Sequence, residues 1–135
     1  MEHRSYQQTL GLDGLRIVCG SHAGVDRAAL DAALARGLQA LESPRSVRDS
    51  QATLILTVGA LDRGARLAAE IAERIGRPFI VIPLEAADAL ERARAWLAEV
   101  RPQVLNIAGS RESFHPGIYG RAFAFLSRVL RPYAP

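Results

Sequence analysis

Apolar residues in this chain fall into two spacings that alternate from one end to the other. Leu15-Arg16-Ile17-Val18-Cys19 is a short β-branched run closing at Gly20, which predicts a buried strand entering a turn. From Val25 the spacing changes: Ala29, Leu30, Ala33, Leu34 and Leu38 recur every three or four positions while Arg27, Asp31 and Arg36 fall between them, an amphipathic helix stopped near Gly37. The polar stretch 39–50 is read as a connection. Ala52-Thr53-Leu54-Ile55-Leu56-Thr57 then predicts a second strand, and residues 63–75 a helix with Leu67, Ile71 and Ile75 in register. Pro78-Phe79-Ile80-Val81-Ile82 predicts a third strand, apolar throughout as strands covered on both faces are. A helix over 86–100, a strand over 104–108 and a helix over 117–130 complete the pattern. Trp96 is read as packing rather than as a stacking platform.

Strands alternating with helices of this length imply a three-layer α/β sandwich, Rossmann-like, with a mainly parallel sheet of about four strands and helices on both faces. In such a sheet ligands bind beyond the carboxyl ends of the strands, which nominates the loops at 20–26, 58–64, 83–85 and 109–116. The 135 residues suit one domain, placed at 15–131, after a polar lead-in at 1–14. The lead-in has no apolar stretch of signal-peptide type, and no run approaches the length that crosses a bilayer, so the expectation is a cytoplasmic protein with no membrane partner.

Composition narrows the chemistry further. A single cysteine, Cys19, excludes an intrachain disulfide, and His3, His22 and His115 are too scattered for a metal site. All 17 basic residues are arginine against 14 acids. Five of them, against one acid, lie in 101–135. Solvated helix faces account for most such clusters, and a nucleic-acid partner is not expected.

Of the nominated loops, Gly20-Ser21-His22-Ala23-Gly24-Val25-Asp26 is a glycine-punctuated turn opening a helix, where backbone N–H groups and the helix dipole favour an anion. A tight turn needs glycine without any ligand too, and both readings stand. Gly59, Arg63 and Gly64 form the second helix entry, where Asp62 reads as an N-cap. The fourth loop offers Arg111, Glu112 and Ser113, with Arg111 suited to grip an oxyanion in a bidentate way, or else to pair with Glu112. No nucleophile has a base beside it, and no catalytic residue is assigned.

Several segments together resemble the family of putative molybdenum carrier proteins, Rossmann-like proteins related to the Lonely-guy phosphoribohydrolases in the SLOG group. The resemblance covers roughly Leu15 to Leu130. It is carried by Gly24-Val25-Asp26-Arg27-Ala28-Ala29-Leu30-Asp31, by Val47-Arg48-Asp49-Ser50 before Ala52-Thr53-Leu54-Ile55-Leu56, and by Asn106-Ile107-Ala108-Gly109 with Arg111-Glu112-Ser113 and Pro116-Gly117-Ile118. It implies an anionic ligand at the carboxyl edge of the sheet: the molybdenum cofactor, molybdate or another oxyanion, or a nucleotide. The cofactor-binding candidates are Gly20, Ser21, His22, Gly24, Asp26, Gly59, Arg63, Gly64, Arg111, Glu112 and Ser113.

The chain also departs from the family pattern. Ser21, His22 and Ala23 stand where the family's first loop has glycine, glutamine and threonine, and Arg63-Gly64-Ala65 stands for its second glycine loop. Between the first helix and Val47, only Leu38–Ser46 remain where the family has a strand and a loop. The expectation is a smaller sheet, a pocket lacking one wall, and an unpaired edge strand that favours a homo-oligomer. Two alternatives to ligand carriage remain: a scaffold or assembly domain whose pocket has decayed, and an enzyme that hydrolyses nucleoside monophosphates as the Lonely-guy relatives do. The glycine-rich motif of those relatives is missing.

Overall fold

A computed structural model describes residues 14–135. The polar lead-in predicted for 1–14 lies, apart from Gly14, outside the described residues. Five strands, β1 (Arg16–Cys19), β2 (Gln39–Glu42), β3 (Ala52–Thr57), β4 (Phe79–Pro83) and β5 (Val104–Gly109), alternate with α1 (Val25–Ala35), α2 (Arg63–Arg74), α3 (Ala89–Val100) and α4 (Ile118–Val129). A short 3-10 turn, Arg131–Tyr133, follows α4. The strands form one sheet in the order β2-β1-β5-β3-β4, parallel at every pairing. The α/β class, the Rossmann-like layering and the parallel sheet match the periodicity of the chain.

The strand count does not. β2 forms within the polar stretch that predicts only a connection, and the sheet has five strands rather than four. Four extended residues span only about 13 Å, and the reversal before them is short because Gly37 takes a left-handed conformation, φ +80°, two residues past α1. At the sheet edge β2 buries almost nothing, and Leu41 is 59% exposed. A strand without a buried face leaves no apolar alternation to read.

The two faces of the sheet are covered unequally, and this asymmetry creates the site. Ile17 and Cys19 of β1, Leu54 and Leu56 of β3, and Leu105 and Ile107 of β5 point to one side. There they meet the alanine stripe of α1 (Ala28, Ala29, Ala32, Ala33), with Ala93 and Leu97 of α3, and Ala122 and Leu126 of α4. Trp96 packs at the margin of this core. The opposite face carries α2 alone, whose Ala65, Ala68 and Ala72 close on Ile55 with Val47. Leu67, Ile71 and Ile75, the stripe that the spacing predicts as the buried face of α2, sit to one side of this line, and Leu67 is half exposed. Small alanines let α2 lie close to β3, β4 and β5. No helix follows β1 or β2 on this side.

Candidate functional site

The uncovered part of that face is a cleft of about 440 Å³. Gly20, Ala108 and Gly109, at the carboxyl ends of β1 and β5, form its floor, and Leu67, Ala68 and Ile71 of α2 one wall. Residues 43–48, between β2 and β3, form the other wall. The shortened segment predicts a pocket lacking one wall, but a wall is present: Leu38–Ser46 supplies the edge strand and the start of the wall, and Val47 and Arg48 continue it. This wall is tied down at several points. Ser43 N–H donates to Cys19 O, Ser43 Oγ donates to Asp49, and the Arg77 guanidinium donates to the carbonyls of Arg48 and Ser50.

Gly24 sets the entry to the cleft. Its φ of +112° is disallowed to L side chains at low cost, and a Cβ there would stand 2.6 Å from both Glu112 N and Ser110 O. That close approach lets the turn after β1 pair with the loop after β5: Gly24 bridges Arg111, Val25 N–H donates to Ser110 O and Glu112 N–H donates to Ala23 O. These bonds tie the two loops to each other. Arg111 leaves this pairing and passes over Gly64 at the first turn of α2, where a Cβ on Gly64 would meet its Nε and Nη2 at 3.6 Å. Among the described residues its guanidinium makes no hydrogen bond and no ion pair.

Asp26 lies on the α1 side of the floor, only 8% exposed. Its Oδ2 accepts from His22 N–H at 3.2 Å and sits 3.5 Å from His22 Nδ1. A Cβ on Gly20 would come within 2.6 Å of the same oxygen, so the glycine keeps the carboxylate's place open. Burial pushes the Asp26 carboxyl above its ordinary value, while the His22 N–H, the imidazole and the Arg111 guanidinium pull it back. An acid raised in this way binds its proton more tightly when folded. Its contribution to stability therefore falls as pH rises from the ordinary carboxylate range to the raised value and is flat beyond it. Asp26→Asn is expected to gain stability relative to the unsubstituted protein across that window. Melting midpoints of the two proteins from about pH 4 to about pH 7 check this, and a difference that does not change with pH contradicts it.

Among the described residues no three His, Cys, Asp or Glu side chains are grouped to hold an ion. Cys19 is fully buried and its thiol is pushed up to about 12, by burial first and then by Asp26, Glu42 and Asp31, so it offers no thiolate.

Residues 40–130 match the circularly permutated YpsA SLOG family. The chain belongs to this family. A crystal structure of a putative molybdenum carrier protein from Syntrophus aciditrophicus superposes with a TM-score of 0.76, covering 87% of this chain and 96% of that one at 28% identity. The resemblance read from the motifs is thus supported by a sequence family and by a solved structure. No curated protein matches.

Within this SLOG domain the structure brings six of the candidate residues to the cleft: Gly20, Ser21, His22, Asp26, Gly64 and Arg111. Gly24 is buried beneath them as the hinge of the loop pairing. The others do not line it. Glu112 turns to α4, where its carboxylate accepts from Gly117 N–H and from Tyr119 N–H at 2.9 Å, and these bonds hold its carboxyl below the ordinary range. It caps a helix and does not pair with Arg111. Gly59 N–H donates to Glu85 Oε2 at 2.9 Å, Arg63 points to solvent, and Ser113 is exposed. Sequence reasoning missed the wall at 43–48, although Val47-Arg48-Asp49-Ser50 stood among the family motifs. It also missed Leu67 and Ile71 as cleft residues, because their spacing is equally that of a helix core.

Proposed function

We propose that the cleft binds a small anionic ligand with an organic body, a phosphorylated heterocycle such as a nucleotide or the molybdenum cofactor, in the manner of a carrier. The observation that carries this reading is the Arg111 guanidinium over the N-terminus of α2, without a partner among the described residues. Ala65 N–H is satisfied by Asp62 Oδ1 at 3.0 Å, whereas Gly64 N–H precedes any intrahelical acceptor and carries no side chain to block approach. A charge-assisted fork and a helix-terminal N–H at one spot are what a phosphate or molybdate group requires. Arg45 and Arg48 on the opposite wall, with Arg111, make the cleft basic overall, with Asp26 as its one acid.

Size and lining argue for more than a bare oxyanion. The volume falls within the roughly 300–1,000 Å³ of pockets that enclose organic small molecules, and a tetrahedral oxyanion would fill only a corner of it. Pro44, Val47, Leu67, Ala68 and Ile71 offer apolar surface to a ring, and Asp26 offers an acceptor to a hydroxyl or amino hydrogen. A molybdenum-containing cargo would be held through its phosphate or oxo oxygens, since the donors here are arginine and N–H groups. The edge strand β2, with Leu41 exposed, is the surface we propose for pairing with a second chain.

Thermal unfolding with adenosine monophosphate, molybdenum cofactor, molybdate and orthophosphate tests the reading, because a ligand that binds only the folded state raises the melting temperature. The expected result is a larger rise for one of the two organic anions than for either inorganic one. No rise with any of the four, in folded protein, overturns the proposal in favour of a scaffold.

A further inference from the structure

Asp62 is 6% exposed, and its two carboxylate oxygens serve two different elements. Oδ1 accepts Ala65 N–H at 3.0 Å, closing the first turn of α2 as an N-cap. Oδ2 accepts the backbone N–H of Arg111, also at 3.0 Å, across 49 residues of sequence. An N-cap needs only the first of these bonds. The second ties the loop after β5 to the helix on whose end the Arg111 side chain lies, and so it sets where the Arg111 side chain starts relative to the Gly64 N–H.

We infer that Asp62 is a positioning residue for the anion grip, one carboxylate that holds Arg111 and the N-terminus of α2 in register so that both converge on the same ligand oxygens. The inference rests on the binding reading above and adds a residue that itself touches no ligand. A binding geometry built from two elements is only as good as the contact that fixes one to the other, and here a single buried side chain makes that contact. The loop's other backbone ties run to the β1 turn, from Gly24 to Arg111, Val25 N–H to Ser110 O and Glu112 N–H to Ala23 O, and to β3, from Ser110 N–H to Leu56 O, and none of them reaches α2.

The two roles of Asp62 separate by substitution. In Asp62→Ser the hydroxyl still caps Ala65 N–H but has no second oxygen for Arg111. In Asp62→Asn the amide oxygen caps, while an NH2 group faces the Arg111 N–H. Both variants are expected to melt above Asp62→Ala and near the unsubstituted protein. Both are also expected to bind adenosine monophosphate about tenfold more weakly and to exchange the Arg111 amide hydrogen at least several-fold faster. In an Arg111→Ala background Asp62→Ser should cost no further affinity.

If Asp62→Ser and Asp62→Asn bind like the unsubstituted protein while Arg111→Ala binds weakly, positioning is refuted and the binding reading survives. If Arg111→Ala itself leaves binding unchanged, the binding reading fails. Amide exchange at Arg111 then decides whether Asp62 holds the loop, and unchanged exchange refutes that as well. Should Asp62→Ser fail to fold, Asp62→Asn carries the same comparison.

Discussion

Arg111→Ala is expected to weaken binding of the proposed organic anion by roughly 10- to 100-fold, the loss that follows when one charge-assisted contact worth about 1.5–3 kcal/mol is removed. The same substitution leaves the melting temperature nearly unchanged. Both halves follow from one observation: the half-buried guanidinium has no hydrogen-bond or ion-pair partner among the described residues, so folding depends little on it, while Arg63 and Arg66, the other arginines in the first turn of α2, do not line the cleft. Calorimetric titration beside a melting curve checks the pair. Affinity that survives the substitution places the ligand elsewhere, and a large drop in melting temperature would show that Arg111 serves the fold.

Gly24→Ala has the largest effect on stability. A side chain at φ +112° is strained, and its Cβ would sit 2.6 Å from two backbone atoms of the β5 loop, Glu112 N and Ser110 O. Backbone cannot step aside as a flexible side chain can. The sum of strain and overpacking is on the order of 3 kcal/mol, or roughly 10 °C for a domain of this size. Because the same contact carries Arg111, ligand binding should fall with it. Gly59 is the control: its φ is also positive, +71°, but no atom lies within 4 Å of a Cβ built there. Gly59→Ala should therefore cost only the backbone strain, about 1 kcal/mol. Equal losses at the two positions, measured by denaturant unfolding, would mean that the close approach at Gly24 does not matter.

The fold was legible where burial imposes a period. β1, β3 and β5 are interior strands of the sheet and β4, though at its other edge, is half-buried along its length, and their continuous apolar runs follow from that. β2 lies at an edge with three of its four residues exposed, and Gln39-Ala40-Leu41-Glu42 offers no run to recognise. The site was legible only in its loops. Gly20, Gly24, Gly64 and Arg111 are candidates there because N–H groups at a helix entry and an arginine in a crevice loop suit an anion, although a tight turn calls for glycine with no ligand too. Glu112 stood beside Arg111 in the sequence but faces away from the cleft, since the backbone of α4 supplies it with two donors. Residues 43–48 are an irregular wall held by Arg77 from the far end of α2, and no periodicity marks a segment whose order comes from a contact 29 residues away. Leu67 and Ile71 have helix-core spacing and yet border the cleft, because alanine took the close-packed line of α2 and left the larger side chains beside it.

The cleft as the place where the anion binds is tested most directly by following backbone amide resonances as adenosine monophosphate is added. The account predicts shifts concentrated at residues 20–22, residues 43–48, Gly64 and Arg111, with Gly59, Arg63 and Ser113 moving less. Shifts centred on any other surface, or none at a ligand concentration that raises the melting temperature, would contradict it.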